Sequence, residues 1–193
     1  MLCSDLQLDN KVNDRLILAS GSPRRRDMLQ KVGLEFDVIP SPAEELHDEH
    51  MPLDQLCEEN ARLKALAVAQ DHPKATVIGA DTLVYIDQTP LGKPHSKEEA
   101  EAMLMCLSGR THQVCTGVCI ARAGKVDSFH TITEVVFKKL SEEIIRDYMS
   151  KVDVMDKAGS YAVQEHGEMI IEQVRGDYDN VVGLPVAQLL AKL

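Results

Sequence analysis

The sequence predicts an α/β fold with a mixed, twisted sheet and flanking helices, and three observations carry that prediction. Short apolar or β-branched runs alternate with helical patterns along the chain, the order expected of βαβ units. The runs at 114–122 and 131–137 flank Gly124-Lys125 and read as an antiparallel pair, so the sheet is not wholly parallel. No internal repeat, low-complexity tract or Pro/Gly/Ser linker divides the chain. At 193 residues there is enough chain for one core or for two closely joined lobes, with any division made by the chain crossing between lobes. Residues 1–14 read as an N-terminal extension and 15–193 as a single domain.

The elements follow in order. RLILAS, 15–20, is a buried strand, and Ser22-Pro23 supplies an N-cap and a proline at the first helical position, opening a helix to about Val32. Residues 36–39 form a short strand. Leu56, Leu63, Leu66 and Ala67 mark a helix from Leu53 to about Gln70, and 75–85 contain a strand running into GADTLVY. Residues 96–107 are helical. In 141–151, Ile144, Ile145, Tyr148 and Met149 share a helical face, and Pro185 opens a last helix, VAQLLAKL.

Composition removes several classes of function. With 44% hydrophobic and 27% charged residues, the chain is not extensively disordered. Aromatics are only 4%, with no Trp, which leaves few residues for a base-stacking platform. A formal net charge of −10 repels nucleic acid and anionic membranes, so neither is expected as a partner. The five cysteines form no CxxC pair and no zinc-ribbon spacing, and read as reduced thiols. The N-terminus lacks the basic and apolar segments of a signal peptide, and no stretch approaches a membrane span, so a cytoplasmic location is expected.

Three Gly-punctuated stretches carry candidate chemistry. In ASGSPRRRD, Arg24, Arg25 and Arg26 crowd the first turn of a helix, where the dipole favours acids; each misplaced cation costs ~0.3–1 kcal/mol. A bound phosphate offsets that cost, through backbone N–H groups and guanidinium forks together. The other reading is a solvated basic turn paired to acids. The spacing GxxxxGK[ST] is absent, so this is not a P-loop. In TVIGADTLV, Asp81 stands among small residues near a strand end, suited to Mg²⁺ or to a proton from water, or else simply to a turn. In KAGSYAVQEHG, the Gln164 amide has the donor and acceptor to read the edge of a uracil or thymine ring, or to satisfy buried backbone. Lys93 and Lys64 read as surface residues on residue type alone, His112 as a structural histidine and NVVGLPV as packing and a turn. The acidic run AEELHDEH, 43–50, reads as a solvated loop from which Glu44 or Glu45 can join Asp81 at a magnesium or manganese ion; it has no HExxH spacing.

Taken together, ASGSPRRR, the paired Glu of AEE, GADTLV, LGKP, LSGRTHQV, DKAGSYAVQ and VVGLPV occur in an order that resembles the Maf family of nucleotide pyrophosphatases, from about Leu16 to Val186. The resemblance implies a two-lobed fold around a cleft, related to that of inosine triphosphate pyrophosphatases, in which a nucleoside triphosphate is cut to monophosphate and pyrophosphate. It implies Asp81 as general base, with Ser20, Ser22, Arg24 and Arg25 near the phosphates and Glu45, Lys64 and Lys93 at further active-site positions. A Mg²⁺ or Mn²⁺ ion would be held by Glu45 and Asp81. Thr82, with Arg24 and Gln164, is similar to the branch acting on dTTP and UTP, modified pyrimidine nucleotides included. Glu165 and His166 depart from the family pattern, as does the N-terminal extension. Competing expectations are a nucleotide-binding regulator of cell division and septum formation, and an enzyme for 7-methyl-GTP or inosine nucleotides. A homodimer is expected by analogy alone.

Overall fold

The computed structural model describes residues 15–48 and 50–193; the N-terminal extension expected over 1–14 lies outside the described residues. Seven strands form one mixed sheet in the order β2-β1-β3-β5-β6-β7, with β4 added beside β3. β1 (Leu16–Leu18) pairs in parallel with β2 (Asp37–Val38) and β3 (Thr76–Ile86), with α1 (Pro23–Lys31) and α2 (Leu53–Ala69) as the crossovers. β3, β5 (Thr111–Arg122), β6 (Lys125–Phe137) and β7 (Ile171–Arg175) are successively antiparallel, so the predicted mixed sheet is present. α3 (Lys97–Leu107) and α4 (Glu142–Lys151) precede and follow the β5–β6 hairpin, while α5 (Tyr178–Val182) and α6 (Val186–Leu190) end the chain.

The turn between β5 and β6 falls one residue earlier than expected. Ala123 and Gly124 both have positive φ, 49° and 77°, the backbone of a two-residue hairpin whose twist matches its strands, and Lys125 already belongs to β6. β4 (Thr89–Leu91) was not foreseen; as an edge strand it tolerates the missing N–H of Pro90. Asp87 and Gln88, also at positive φ, turn β3 into it.

The core is split by the sheet and then along it. On one face, Leu18, Ile78, Ala80, Val118 and Ile120 pack against α1 and α6 through Met28, Leu29 and Leu189. On the other, Ile17, Ala19, Val77, Cys119 and Ala121 meet Ala61, Ala65 and Val68 of α2. Farther along the same strands, Val84, Ile86, Val114, Val135 and Phe137 form a separate core with α3 and α4. Each fully buried Leu or Ile in these clusters contributes roughly 1.5–3 kcal/mol. β3 and β5 therefore run through all three clusters, and residues 81–83 of β3 lie where the first two give way to the third.

Two glycines set how close α2 comes to the sheet. A Cβ on Gly79 would stand 2.2 Å from the Ala61 carbonyl oxygen, and one on Gly117 would stand 2.3 Å from the Cys57 backbone. The helix backbone thus rests directly on β3 and β5. Gly79, among the small residues before Asp81, makes room for a helix.

Candidate active site

The crossing point opens into a cleft of about 1520 Å³ lined by Ser20, Ser22, Arg24, Arg25, Glu45, Lys64, Asp81, Thr82, Lys93 and Gln164, whereas Arg26 and Glu44, the other candidates at the arginine turn and in the acidic run, are not part of its lining. Asp81 is 5% exposed, and both of its carboxylate oxygens are held from α2. Lys64 Nζ donates to Oδ1 at 2.7 Å and Asn60 Nδ2 to Oδ2 at 3.3 Å. The same Lys64 ammonium donates to Glu45 Oε1 at 2.6 Å, so it joins the two acids that sequence had paired. Lys64 is no surface lysine: its side chain is 13% exposed, and the close seat of α2 on Gly79 and Gly117 carries it inward.

The two arginines of the SPRR run part company. Arg25 is buried and spends four of its five N–H groups on the protein: Nε to the Gly183 carbonyl at 2.8 Å, one terminal nitrogen to Ser20 Oγ at 3.2 Å and the Ala80 carbonyl at 2.9 Å, the other to Thr82 Oγ at 2.8 Å. Burial pulls its pKa below the ordinary arginine value. The expectation that both arginines offer open forks to phosphate is corrected for Arg25, which ties α1 to β3 and to the turn after α5. Arg24 stays on the cleft wall, its one carboxylate partner among the described residues being Asp156 at 3.3 Å. Burial works to raise the Asp156 pKa, but Lys157 and Arg24 outweigh it and hold the carboxyl below its usual range.

Helix α1 also differs from α3 and α4 in how it begins. Ser96 and Ser141 cap their helices by accepting from the N–H groups of Glu99 and Ile144, and both first turns carry acids. Ser22 occupies the N-cap position of α1 but makes no side-chain cap bond, and that first turn carries no acid. Its unused donors border the cleft.

A hydrogen-bond chain fixes Thr82. Its oxygen accepts from Arg25, and Thr116 Oγ donates to the Asn180 carbonyl at 3.1 Å, so the 2.9 Å contact between the hydroxyls runs from Thr82 to Thr116. Thr82 is left with acceptor capacity alone. Asn180 is fully buried and donates to the Val114 carbonyl and to Thr133 Oγ. The NVVGLPV stretch is therefore part of the cleft wall as well as packing, since Val181, Val182 and Gly183 line it. Lys93 and Gln164 line the opposite side, exposed and with no side-chain hydrogen-bond partner among the described residues. His112 is structural, as expected: buried, 2.7 Å from the Tyr161 hydroxyl, edge-on to Phe137, its pKa lowered by burial to about 4.

Asn60, Thr116, Asn180 and Gly117 were missed by sequence reasoning. The one available signal was on α2, where Asn60 and Lys64 interrupt the buried face of Cys57, Ala61, Ala65 and Val68 four residues apart. Cys57 is buried and free, its thiol donating to the Cys115 carbonyl at 3.2 Å; its pKa is pushed well up and it is no nucleophile. No group of three or more His, Cys, Asp or Glu side chains gathers into a metal cage among the described residues. The pair Asp81 and Glu45 on one ammonium nevertheless suits Mg²⁺, which takes one or two carboxylates together with substrate phosphates and keeps several waters.

Among the described residues, no helix is long and apolar enough to cross a membrane. The family model for Maf-like proteins matches residues 15–193. A dTTP/UTP pyrophosphatase of Akkermansia muciniphila is 57% identical over 175 residues, which are 91% of this chain and 93% of the relative. A dTTP/UTP pyrophosphatase of Bacillus anthracis is 42% identical over 179 residues, 93% of this chain and 94% of the relative. Among solved structures, the Ham1 protein of Staphylococcus aureus is similar at a TM-score of 0.48 and 17% identity, over 64% of this chain and 72% of that one. The family match spans residues 15–193 and the two relatives align over more than nine-tenths of the chain, and the chain belongs to the Maf family.

Proposed function

We propose that this protein hydrolyses nucleoside triphosphates, dTTP and UTP before others, to the monophosphate and pyrophosphate. The observation that carries the reading is Asp81: a carboxylate 5% exposed, bordering the cleft, with one oxygen on Lys64 and the other on Asn60. Asp81 orients a water for attack on the α-phosphorus and takes its proton. The uncapped first turn of α1, Arg24, Lys64 and Lys93 receive the triphosphate, so positioning and electrostatics supply the rate without a covalent intermediate. Arg25 and Ser20 brace the start of α1 from inside. Glu45 and Asp81 would hold a Mg²⁺ or Mn²⁺ ion, which when bound neutralises charge on the triphosphate. Thr82, presented as an acceptor, suits a pyrimidine whose N3 carries a hydrogen, as uracil and thymine do and cytosine does not; the Gln164 amide supplies the complementary donor or acceptor. The names of the two relatives support this substrate class.

The test assays pyrophosphate release from dTTP, UTP, CTP, GTP, ITP and 7-methyl-GTP with Mg²⁺, for the wild-type protein and for Asp81→Asn. The expected result is highest kcat/KM on dTTP and UTP, and a loss of about 10²–10⁴-fold in kcat for Asp81→Asn with nucleotide affinity largely kept. Near-normal turnover by Asp81→Asn rules out the base, binding without product favours a regulator, and faster ITP or 7-methyl-GTP hydrolysis overturns the pyrimidine assignment.

A further inference from the structure

Asn60 stands at the centre of the site's bonding although no catalytic motif contains it. Its side chain is 2% exposed and its amide is committed at both ends. Oδ1 accepts from the Leu46 N–H at 2.7 Å, and Nδ2 donates to the Leu46 carbonyl at 3.3 Å. Pairing with both backbone groups of one residue fixes which end of the amide is which. The second Nδ2 proton then goes to Asp81 Oδ2, also at 3.3 Å. One helical turn later, Lys64 repeats the pattern, joining Asp81 Oδ1 to Glu45.

This matters because, among the described residues, the segment bearing Glu45 has no strand or helix of its own between β2 and α2. Without ladder bonds, the place of Glu45 relative to Asp81 depends on side chains that reach it. The ammonium of Lys64 is a point charge on a flexible stem, with little directional preference. The Asn60 amide is short and planar, and imposes direction. Asparagine is also a poor interior helix residue, and a buried one is retained here on the helix face that meets the sheet.

We propose that Asn60 is a positioning residue that locks the Glu45 loop to the Asp81 carboxylate, so that the two acids are presented as one preorganised pair. The inference rests on the pyrophosphatase reading above. Its test uses the full chain with Asn60→Leu, similar in volume and without hydrogen bonds, and Asn60→Asp, which keeps the acceptor for Leu46 N–H but sets a carboxylate against Asp81. Two quantities are read: kcat and KM for dTTP, and hydrogen exchange at the Leu46 amide.

For Asn60→Leu, Leu46 exchange should accelerate at least about tenfold and kcat fall about 10–100-fold, with KM moving less than about threefold, the signature of misplaced groups rather than lost binding. For Asn60→Asp, Leu46 protection should persist while kcat falls at least as far, which separates the loop half of the clamp from the Asp81 half. A kcat within twofold of wild type in either folded variant overturns the proposal. So does failure of both variants to fold, which would make Asn60 scaffold alone. Asp81→Asn is run alongside: if it turns over normally, the reading of Asp81 as base fails, while Leu46 exchange in Asn60→Leu still reports the clamp. If Asp81→Asn is inactive and the Asn60 variants are normal, the present inference alone fails.

Discussion

The two walls of the cleft are built differently. On the α2 side, Asp81, Asn60, Lys64 and Arg25 are buried or nearly so and bonded to one another or to backbone. On the opposite side, Lys93 and Gln164 are exposed, and Arg24 is held by a single ion pair. The first wall has its geometry set before any ligand arrives, which is what chemistry at one reacting atom requires. The second leaves donors unspent, which is what a ligand requires. The SPRR run contributes to both, through arginines adjacent in sequence.

The sharpest way to break the comparison is at glycine. Gly117→Ala drives a Cβ into the Cys57 backbone, which cannot swing aside as a side-chain tip does, so α2 must lift. The expected cost is more than about 4 kcal/mol, with loss of turnover as Lys64 and Asn60 withdraw from Asp81. Gly92→Ala, on the opposite wall, meets nothing within 4 Å and should change stability by less than about 0.5 kcal/mol. Urea denaturation of the pair checks this; a Gly117→Ala protein within about 1 kcal/mol of wild type would show that the first wall is not rigid.

A second, smaller effect lies beneath the opposite wall, where Tyr161 borders the cleft and is bonded to His112. The His112 ring has a pKa of about 4 when folded, against 6.5 for an ordinary histidine, because burial disfavours the imidazolium. Above 6.5 neither state binds the proton. Between 6.5 and 4 the unfolded chain takes it up and the folded ring does not, so stability falls as pH falls through that window, by about 3 kcal/mol in all. Denaturation midpoints from pH 7.5 to 4 should drop more steeply for wild type than for His112→Gln. Parallel curves would mean that the ring is protonated in the fold.

These contrasts also mark what was legible in the sequence. The β1–α1 junction, α2 and β3 were readable because periodicity, a Ser-Pro helix start and β-branched runs are local signals. β4, β7 and α5 were not: each is five residues or fewer, and two are edge strands whose pairing comes from elsewhere in the chain. In the site, residue types and order pointed to Asp81, Glu45 and Lys64, but roles set by distant partners were hidden. Arg25 became a strut through a carbonyl 158 positions away, and nothing in SPRRR distinguishes it from Arg24. Gly79 and Gly117 carried no sign of their role because the helix they accommodate is invisible until the sheet forms.

A small stability effect is also expected at Arg24, and it sharpens the comparison most directly. Its pair with Asp156 is part-exposed, 26% and 55% for the two side chains, a class worth about 0–1 kcal/mol. Arg24→Gln should therefore denature within about 1 kcal/mol of wild type. If Arg24 exchanges Asp156 for a phosphate oxygen, the same variant loses a charge-assisted bond of about 1.5–3 kcal/mol to substrate, and KM for dTTP should rise roughly 10–100-fold with kcat less affected. Asp156→Asn should act in the opposite sense. It removes the carboxylate that competes for Arg24 while leaving Lys157 on the Asp153 carbonyl, so KM should fall, and the gain should fade as salt screens the guanidinium from the triphosphate. A KM that stays put in Arg24→Gln and rises in Asp156→Asn would make the ion pair a structural strap, and Arg24 would then belong with Arg25 to the built side of the molecule.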